Sequence, residues 1–215
     1  GGMPGGRKFK AVQTGGPSGG CIPERLMDLA IDFDSLKANG SMMGSGGMIV
    51  MDDTTCMVEL ARYYVKFLSE ESCGKCTPCR EGLRCMLEIL TRFCEGRGEL
   101  SDLELLEELC ETAAAASLCE LGRTAPNPVM STLAHFKEEY IEHIVNKRCP
   151  AGVCTNLITF RIIPEKCKGC ALCAKSCPTD AISGELRKPY LISQRDCVKC
   201  GTWKAKCPFD AIALE

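Results

Sequence analysis

The spacing of the cysteines constrains this chain more than any other feature of its sequence. Eighteen of the 215 residues are cysteines, and eight of them lie in groups in which neighbouring cysteines are separated by two residues. Cysteines at this spacing are poorly placed to bridge each other, whereas their thiolates can converge on one metal centre. We therefore expect metal ligation rather than a disulfide framework, and a reducing, cytoplasmic setting.

The first group lies in "ESCGKCTPCREG", residues 71–82, where Cys73, Cys76 and Cys79 have C-x2-C-x2-C spacing. Three sulfurs at this spacing can cover one face of a cubane cluster, and the fourth ligand must come from elsewhere. Cys119, in "SLCELG" between the third and fourth predicted helices, is the candidate. We predict a [4Fe–4S] cluster on these four residues, with zinc on the same cysteines as the alternative.

The second group lies in "KCKGCALCAKSCP", residues 166–178, and follows the C-x2-C-x2-C-x3-C-P pattern. In two-cluster ferredoxins the fourth cysteine of each run binds the other run's cluster. This pattern predicts a complete [4Fe–4S] cluster on Cys167, Cys170, Cys173 and Cys207.

The third group lies in "DCVKCGTWKAKCP", residues 196–208, where Trp203 stands in place of the third cysteine. Cys177, Cys197 and Cys200 remain, and an indole N–H cannot replace a thiolate. Three states stay open: a [3Fe–4S] cluster, a labile [4Fe–4S] cluster with an external ligand, or an empty site filled by the indole ring. We favour a cluster on the three cysteines, although a single base change could also have produced Trp203 by drift or sequence error.

A further candidate metal site lies in "HIVNKRCPAGVC", residues 143–154. One imidazole and two thiolates, from His143, Cys149 and Cys154, suit zinc. Cys56 is the candidate fourth ligand, although spacing does not exclude Cys85 or Cys94. The alternative is a helix-end histidine beside two free cysteines.

The remaining pattern predicts an α+β chain of four segments. Residues 1–51 are glycine-rich, with strands at 7–13 and 47–51 and a short helix capped by Asp34 and followed by Gly40. Residues 52–146 carry four amphipathic helices, which favour a four-helix bundle. Residues 147–160 form a linker with the possible zinc site, and residues 161–215 form a repeat of two cysteine motifs.

The helices are predicted from apolar residues at intervals of three and four. We expect a capping box from Ser101 to Glu104, and Asn127 as an N-cap before Pro128. The predicted apolar stripes are Met57, Leu60, Ala61, Tyr64, Phe67 and Leu68; Leu83, Met86, Leu87, Leu90, Phe93 and Cys94; Leu103, Leu106, Leu109 and Cys110; and Val129, Leu133, Phe136, Tyr140 and Ile144.

Several classes of function are disfavoured. The formal net charge is −2 without a dominant basic patch, so a nucleic acid is not expected as a partner. The apolar runs are too short for a membrane span. The glycine-rich segment has neither a dinucleotide-binding G-x-G-x-x-G motif nor a Walker lysine. No hydrolytic constellation is evident, and His135 is isolated, so one-electron transfer is the chemistry that remains.

The stretches "GSGGMIVMDDTTCMVELARYYVKFLSEESCGKCTPCREG" and "SLCELGRTAPNPVMSTLAHF" resemble the C-terminal half of a flavin-bearing, NADH-oxidising subunit family. This family occurs in respiratory complex I, NAD-linked formate dehydrogenases and NAD(P)-reducing [FeFe]-hydrogenases. The resemblance covers roughly residues 5–145. It implies that residues 1–51 are part of a soluble-ligand-binding β-grasp domain and that the bundle carries the cluster on Cys73, Cys76, Cys79 and Cys119.

The appended ferredoxin-like region resembles the multimeric hydrogenase and formate dehydrogenase versions, in which a zinc site near the hinge is expected. The resemblance implies that FMN and NAD(P)H bind in a domain before Gly1, and that this chain is not active alone. The opening "GGMPGG", without a methionine, is likewise interpreted as part of something longer. The implied partners are other iron–sulfur subunits, a thioredoxin-like [2Fe–2S] subunit, ferredoxin or a hydrogenase subunit.

The predicted function is therefore the iron–sulfur, electron-transfer portion of an NADH dehydrogenase (diaphorase)-type subunit. Two alternatives remain at this point. One is a free-standing ferredoxin-like electron carrier without catalytic activity, and the other is a structural zinc protein that uses the same cysteines.

Overall fold

The computed structural model describes residues 2–214. They form two compact units, one reaching to Leu157 and the other starting at Ile158. Helices and strands occur together, as expected for the α+β class. Among the described residues, no helix combines the length and apolarity needed to cross a bilayer.

A three-stranded antiparallel sheet opens the first unit. Its central strand is β1 (Phe9–Thr14), flanked by β2 (Gly20–Pro23) and β3 (Met48–Asp52). The strands predicted at 7–13 and 47–51 are confirmed as β1 and β3. The prediction missed β2, because "GCIP" is short and contains glycine and proline, which disfavour strands.

The short helix α1 (Phe33–Ala38) follows the sheet's second strand. Its N-cap is Asp32, whose Oδ1 accepts the Ser35 N–H at 2.7 Å, so the prediction of Asp34 was wrong. Asp34 instead lies in the first turn, and Gly40 follows the helix with a φ of +72°. Cap choice among neighbouring acidic residues depends on where the chain turns into the helix.

Four long helices and one short helix make up the rest of this unit. They are α2 (Met57–Glu70), α3 (Thr77–Cys94), α4 (Leu100–Ala116), α5 (Glu120–Thr124) and α6 (Asn127–Ile144). α2 packs on α3 and α6, and α4 packs on both of these helices as well. Most of the predicted apolar stripes are buried or half-buried, whereas Phe67 is exposed. Apolar burial of this kind is the main source of helix stability in proteins.

Two further cap predictions were wrong. α4 begins at Leu100, and its capping box joins Glu99 to Asp102, whose Oδ2 accepts the Glu99 N–H at 3.0 Å. α6 is capped by Pro126, so Asn127 is its first helical residue. The Asn127 side chain does not cap the helix, because its amide donates to the Ser18 carbonyl at 3.0 Å.

The second unit contains two small antiparallel sheets and one short helix. β4 (Phe160–Ile162) pairs with β7 (Ile212–Leu214), β5 (Ile182–Ser183) pairs with β6 (Leu191–Ile192), and the helix is α7 (Leu172–Lys175). The repeated "DAI" triplets occupy equivalent places. Asp180 and Asp210 both have positive φ, and the Ala-Ile pair after each of them is buried.

Candidate iron–sulfur and metal sites

The first cysteine group surrounds the beginning of α3. Cys76 is the N-cap of that helix, Cys79 lies in its first turn, and Cys119 is the N-cap of α5. Gly122 in α5 allows the close approach of the two segments. A Cβ placed on Gly122 would lie 2.9 Å from the Cys79 Cβ and 2.5 Å from the Ser117 Oγ.

The Cys79 thiol interacts electrostatically with the other three predicted ligands. Burial is the largest cause of its raised pKa, and the neighbouring thiolates of Cys76, Cys119 and Cys73 raise the pKa further. The Ser72 hydroxyl, whose oxygen lies 3.3 Å from the Cys79 Sγ, opposes this rise. Thiolates that repel one another at a partly buried site are stabilised by a shared cation, which fits an iron–sulfur cluster or zinc.

Backbone amides favour the thiolate form of Cys76. Its pKa is lowered first by the N–H of Leu118 and then by the N–H of Cys79. The first of these donors comes from the segment before α5 and the second from the N-terminus of α3, where unpaired N–H groups favour negative charge. Donors from both segments therefore stabilise the Cys76 thiolate, which is the form that binds a metal.

A cavity in the second unit is lined by the second cysteine group. Its lining includes Cys167, Cys170, Cys173 and Cys207, the four residues predicted to share one cluster, together with apolar side chains. Gly169, between the first two of them, has a φ of +64°, and a Cβ there would lie 2.5 Å from the Lys188 N. The sharp turn at Gly169 is thus restricted to glycine.

The third group offers three thiols to which polar groups donate. The Ala181 N–H lies 3.3 Å from the Cys177 Sγ, and the Thr202 hydroxyl lies 3.4 Å from the Cys200 Sγ. The pKa of Cys200 is lowered chiefly by this hydroxyl. For Cys177, burial acts to raise the pKa, but hydrogen bonds led by the Thr179 N–H lower it overall.

Trp203 points into the interior of the second unit. Its side chain is 1% exposed, and its ring meets Phe160 edge to face with the ring centroids 4.7 Å apart. Position 203 thus supplies an apolar packing group to the unit. The N–H of Lys199 lies 3.4 Å from the Sγ of Cys197, the remaining member of the third group.

A buried group of four ligating side chains lies at the end of the first unit. Cys56, His143, Cys149 and Cys154 are all buried, and their ligand atoms lie within 4.8 Å of one another. The Cys56 and Cys154 sulfurs are 3.8 Å apart, and the His143 Nε2 lies 3.3 and 3.4 Å from them. A tetrahedral zinc ion requires about 3.8 Å between sulfurs and about 3.5 Å from sulfur to nitrogen, given ordinary zinc–ligand bond lengths.

The titration behaviour of this group suits a cation site. Hydrogen bonds with Cys154 and then Cys56 hold the pKa of the Cys149 thiol well below its usual range. Burial lowers the pKa of His143, but hydrogen bonds with the Cys149 and Cys56 thiols outweigh it and raise the value to about 10. A bound metal ion would replace the protons that these groups share.

Glu139 orients two members of the group, a role that no motif in the sequence signals. Its carbonyl lies 2.7 Å from the His143 Nδ1, which leaves Nε2 to face the sulfurs. Its carboxylate accepts the Met57 N–H at 3.1 Å, next to Cys56, and pairs with Lys10 at 2.5 Å. Such outer partners fix ligand orientation at metal sites.

The other candidates are not members of this group of four. Cys85 is exposed on α3. Cys94 comes within 4.8 Å of Cys154 and Glu59, in a second group that shares Cys154 with the first. His135 lies 2.7 Å from an Arg25 guanidinium nitrogen, measured from its Nδ1.

Cysteines grouped at ferredoxin spacing, around a cavity in one unit and at a helix N-terminus in the other, define an iron–sulfur electron-transfer protein. Comparison with known families agrees. Residues 59–143 match the NADH-ubiquinone oxidoreductase-F iron-sulfur binding region, and residues 160–183 match a 4Fe-4S binding domain. The chain carries the iron–sulfur, electron-transfer part of a protein of this kind.

Named relatives extend the comparison. The chain is 50% identical over 212 residues to the NADP-reducing hydrogenase subunit HndC of Solidesulfovibrio fructosivorans, covering 99% of this chain and 43% of that protein. It is 50% identical over 145 residues to the F 2 subunit of NADH-quinone oxidoreductase from Rhizobium meliloti, covering 67% of this chain and 34% of the relative. The chain thus spans less than half the length of these relatives.

A solved structure also resembles the fold. The NAD+-reducing [NiFe]-hydrogenase in the H2-reduced state matches with a TM-score of 0.55 and 30% identity, covering 64% of this chain and 24% of that one. The predicted resemblance to NADH-oxidising subunits is confirmed by these matches. A free-standing ferredoxin-like carrier is not favoured, because the similarity to HndC runs through both units.

Proposed function

We propose that this chain relays single electrons within an NAD(P)H-linked oxidoreductase of several subunits. The observation that carries the proposal is that Cys73, Cys76, Cys79 and Cys119 all lie inside the matched iron–sulfur region, where the helix that begins after Cys119 approaches Cys79 closely at Gly122. NAD(P)H and FMN would bind to a part of the protein outside this sequence. The chain alone would then have no NAD(P)H-dependent activity.

Two [4Fe–4S] clusters would be held by complete sets of four cysteines. One set is that of the bundle, and the other is Cys167, Cys170, Cys173 and Cys207, which line one cavity. When bound, the clusters supply reversible one-electron transfer. The chain's own part is to present thiolates, limit the access of water and donate hydrogen bonds to the sulfurs, as the Leu118 N–H does at Cys76.

The third site, on Cys177, Cys197 and Cys200, would hold a [3Fe–4S] cluster or a labile [4Fe–4S] cluster. Support comes from the polar donors that lower the pKa values of Cys177 and Cys200. The burial of Trp203 against Phe160 argues that position 203 contributes no ligand. Measurement of the iron content would show whether this third site is empty.

We propose a structural zinc site on Cys56, His143, Cys149 and Cys154. Four buried protein ligands leave no open coordination position, which is typical of structural rather than catalytic zinc. The site would tie the N-terminus of α2 to the segment after α6, which are distant in the sequence.

The finer architecture also belongs to the proposal. Residues 1–51 would be part of an SLBB-like β-grasp domain, residues 52–146 a four-helix bundle, residues 147–160 a linker and residues 161–215 a bacterial-type 2[4Fe–4S] ferredoxin-like domain. The partners would be other iron–sulfur subunits, a thioredoxin-like [2Fe–2S] subunit, or ferredoxin, in the cytoplasm. The word "subunit" in the names of the hydrogenase and NADH-quinone oxidoreductase relatives supports an assembly of several chains.

The test is metal analysis of the chain purified without oxygen, combined with EPR before and after reduction by dithionite. We expect one zinc per chain and at least about eight irons, the content of two four-iron clusters. Replacing Cys119 by serine should remove one four-iron signal, whereas the Cys85→Ser control, an exposed cysteine on α3, should remove none. Zinc without iron would refute the electron-transfer proposal.

A further inference from the structure

Ser117 is a buried hydroxyl whose hydrogen-bond partner is not evident. Its residue is 2% exposed, and its Oγ makes no hydrogen bond of ordinary geometry to any residue that the structure describes. A buried hydroxyl without a partner costs free energy, and such groups are satisfied in almost all native proteins. The Ser117 hydroxyl is therefore available to donate to a sulfur at the neighbouring cysteine site.

The backbone of Ser117 is already fixed by other groups. Its N–H donates to the Ala113 carbonyl at 3.2 Å, and its own carbonyl accepts the Arg123 Nε–H at 3.0 Å. Ser117 ends α4 and stands two residues before Cys119. The turn that fixes the position of the hydroxyl is thus also the turn that leads to Cys119, the predicted ligand that is distant in the sequence from the other three.

The hydroxyl lies beside the ligand sulfurs. A Cβ built on Gly122 would lie 2.5 Å from the Ser117 Oγ and 2.9 Å from the Cys79 Cβ, so both face the same narrow space. Hydrogen bonding by the Ser117 side chain is also the smallest of the causes that lower the pKa of Cys76, one of the four ligands. Ser72 differs, because its oxygen already has the Gly74 N–H and the Cys79 Sγ as partners, each at 3.3 Å.

We propose that the Ser117 hydroxyl donates a hydrogen bond to a sulfur of the cluster held by Cys73, Cys76, Cys79 and Cys119, and thereby sets its reduction potential. The inference rests on the proposed function, since it requires a cluster at these four cysteines. Reduction adds negative charge to the cluster. A donor to sulfur favours the more negative state, so Ser117 raises the potential.

The test is a potentiometric titration of the full chain, followed by EPR, for the parent and for Ser117→Ala. One four-iron component should move to lower potential while the other components and the iron content stay unchanged. At a fixed potential, the reduced-to-oxidised ratio of that component should fall by about three- to tenfold, if the bond is stronger in the reduced state by the net strength of an ordinary hydrogen bond. Tenfold corresponds to about 59 mV for a one-electron couple.

A second pair of variants covers the case in which Ser117→Ala loses the cluster. Ser117→Thr keeps the hydroxyl and Ser117→Val replaces it with a methyl group of similar size, so only the valine variant should lower the potential. Ser131→Ala removes another buried hydroxyl, one that accepts the Cys21 N–H at 3.0 Å, and should leave all components in place.

The outcomes separate the two proposals. Equal potentials for the threonine and valine variants, or for the parent and a loaded Ser117→Ala variant, would refute the role of Ser117 alone. A parent chain with no four-iron signal that depends on Cys119 would refute the proposed cluster itself.

Discussion

Removing the proposed zinc ion should destabilise the first unit by an amount that can be worked out in advance. None of the four ligands is more than 5% exposed, so water cannot take the place of the ion. The observed ligand distances of 3.3–3.8 Å already suit a tetrahedral site, so little rearrangement opposes binding. At free zinc about a thousand times the Kd, binding stabilises the folded state by about 4 kcal/mol.

That stabilisation converts to a measurable change in Tm. For a unit of this size, 1 kcal/mol corresponds to about 2–4 °C, so removing zinc should lower Tm by about 8–16 °C. The assay is thermal unfolding without oxygen, followed by the helical circular dichroism signal with and without a zinc chelator. Iron and zinc are measured in each sample to show that the clusters are retained.

Variants identify the ion's ligands. Cys56→Ala should lack zinc and show no further loss of Tm with the chelator. Cys110→Ala removes a thiol that is equally buried, 3.9 Å from the Met86 Sδ, and should keep the full chelator response. The reasoning would be refuted if the parent lost its zinc, kept its iron and unfolded at an unchanged temperature.

Three further substitutions test the cluster sites. Gly122→Ala should reduce iron by about four per chain or destabilise the unit by about 1–3 kcal/mol, because its Cβ would meet Ser117 and Cys79. Iron analysis and chemical denaturation measure these effects. A full iron content at parental stability would contradict the prediction. Gly169→Ala, strained at positive φ and close to the Lys188 backbone, should remove the four-iron EPR signal of the second unit, and retention of that signal would count against this cavity as the cluster site. Trp203→Cys restores the ferredoxin spacing and should give a stable four-iron cluster at the third site, measured by iron content after exposure to air; an unchanged iron content would exclude the indole as the only obstacle.

The sequence was most informative where ligands lie close together along the chain. The C-x2-C runs fix their own local geometry, because a short turn followed by a helix brings the sulfurs to one side, and this predicted both iron–sulfur regions. Periodicity found the four long helices and two of the three strands of the first unit. It failed for β2, because its glycine and proline disfavour a strand and the strand is held by pairing with β1.

Helix caps show a finer limit. Asp32, rather than Asp34, caps α1, and Glu99, rather than Ser101, caps α4. Several residues within each segment could serve as a cap. The packing of the following helix decides where the chain enters it, and that decision selects the capping residue.

The sequence by itself determined that the cysteines of this chain serve iron–sulfur chemistry, since the type of ligand and the local spacing are both visible within short stretches of residues. Only the tertiary structure decided which distant groups join them. Cys56 lies 87 residues before His143, yet their ligand atoms are 3.3 Å apart, whereas spacing could not separate Cys56 from Cys85 or Cys94. The packing of α2 against α6 made that selection, and Glu139 fixed its geometry, because contacts between helices depend on the whole core rather than on any local motif.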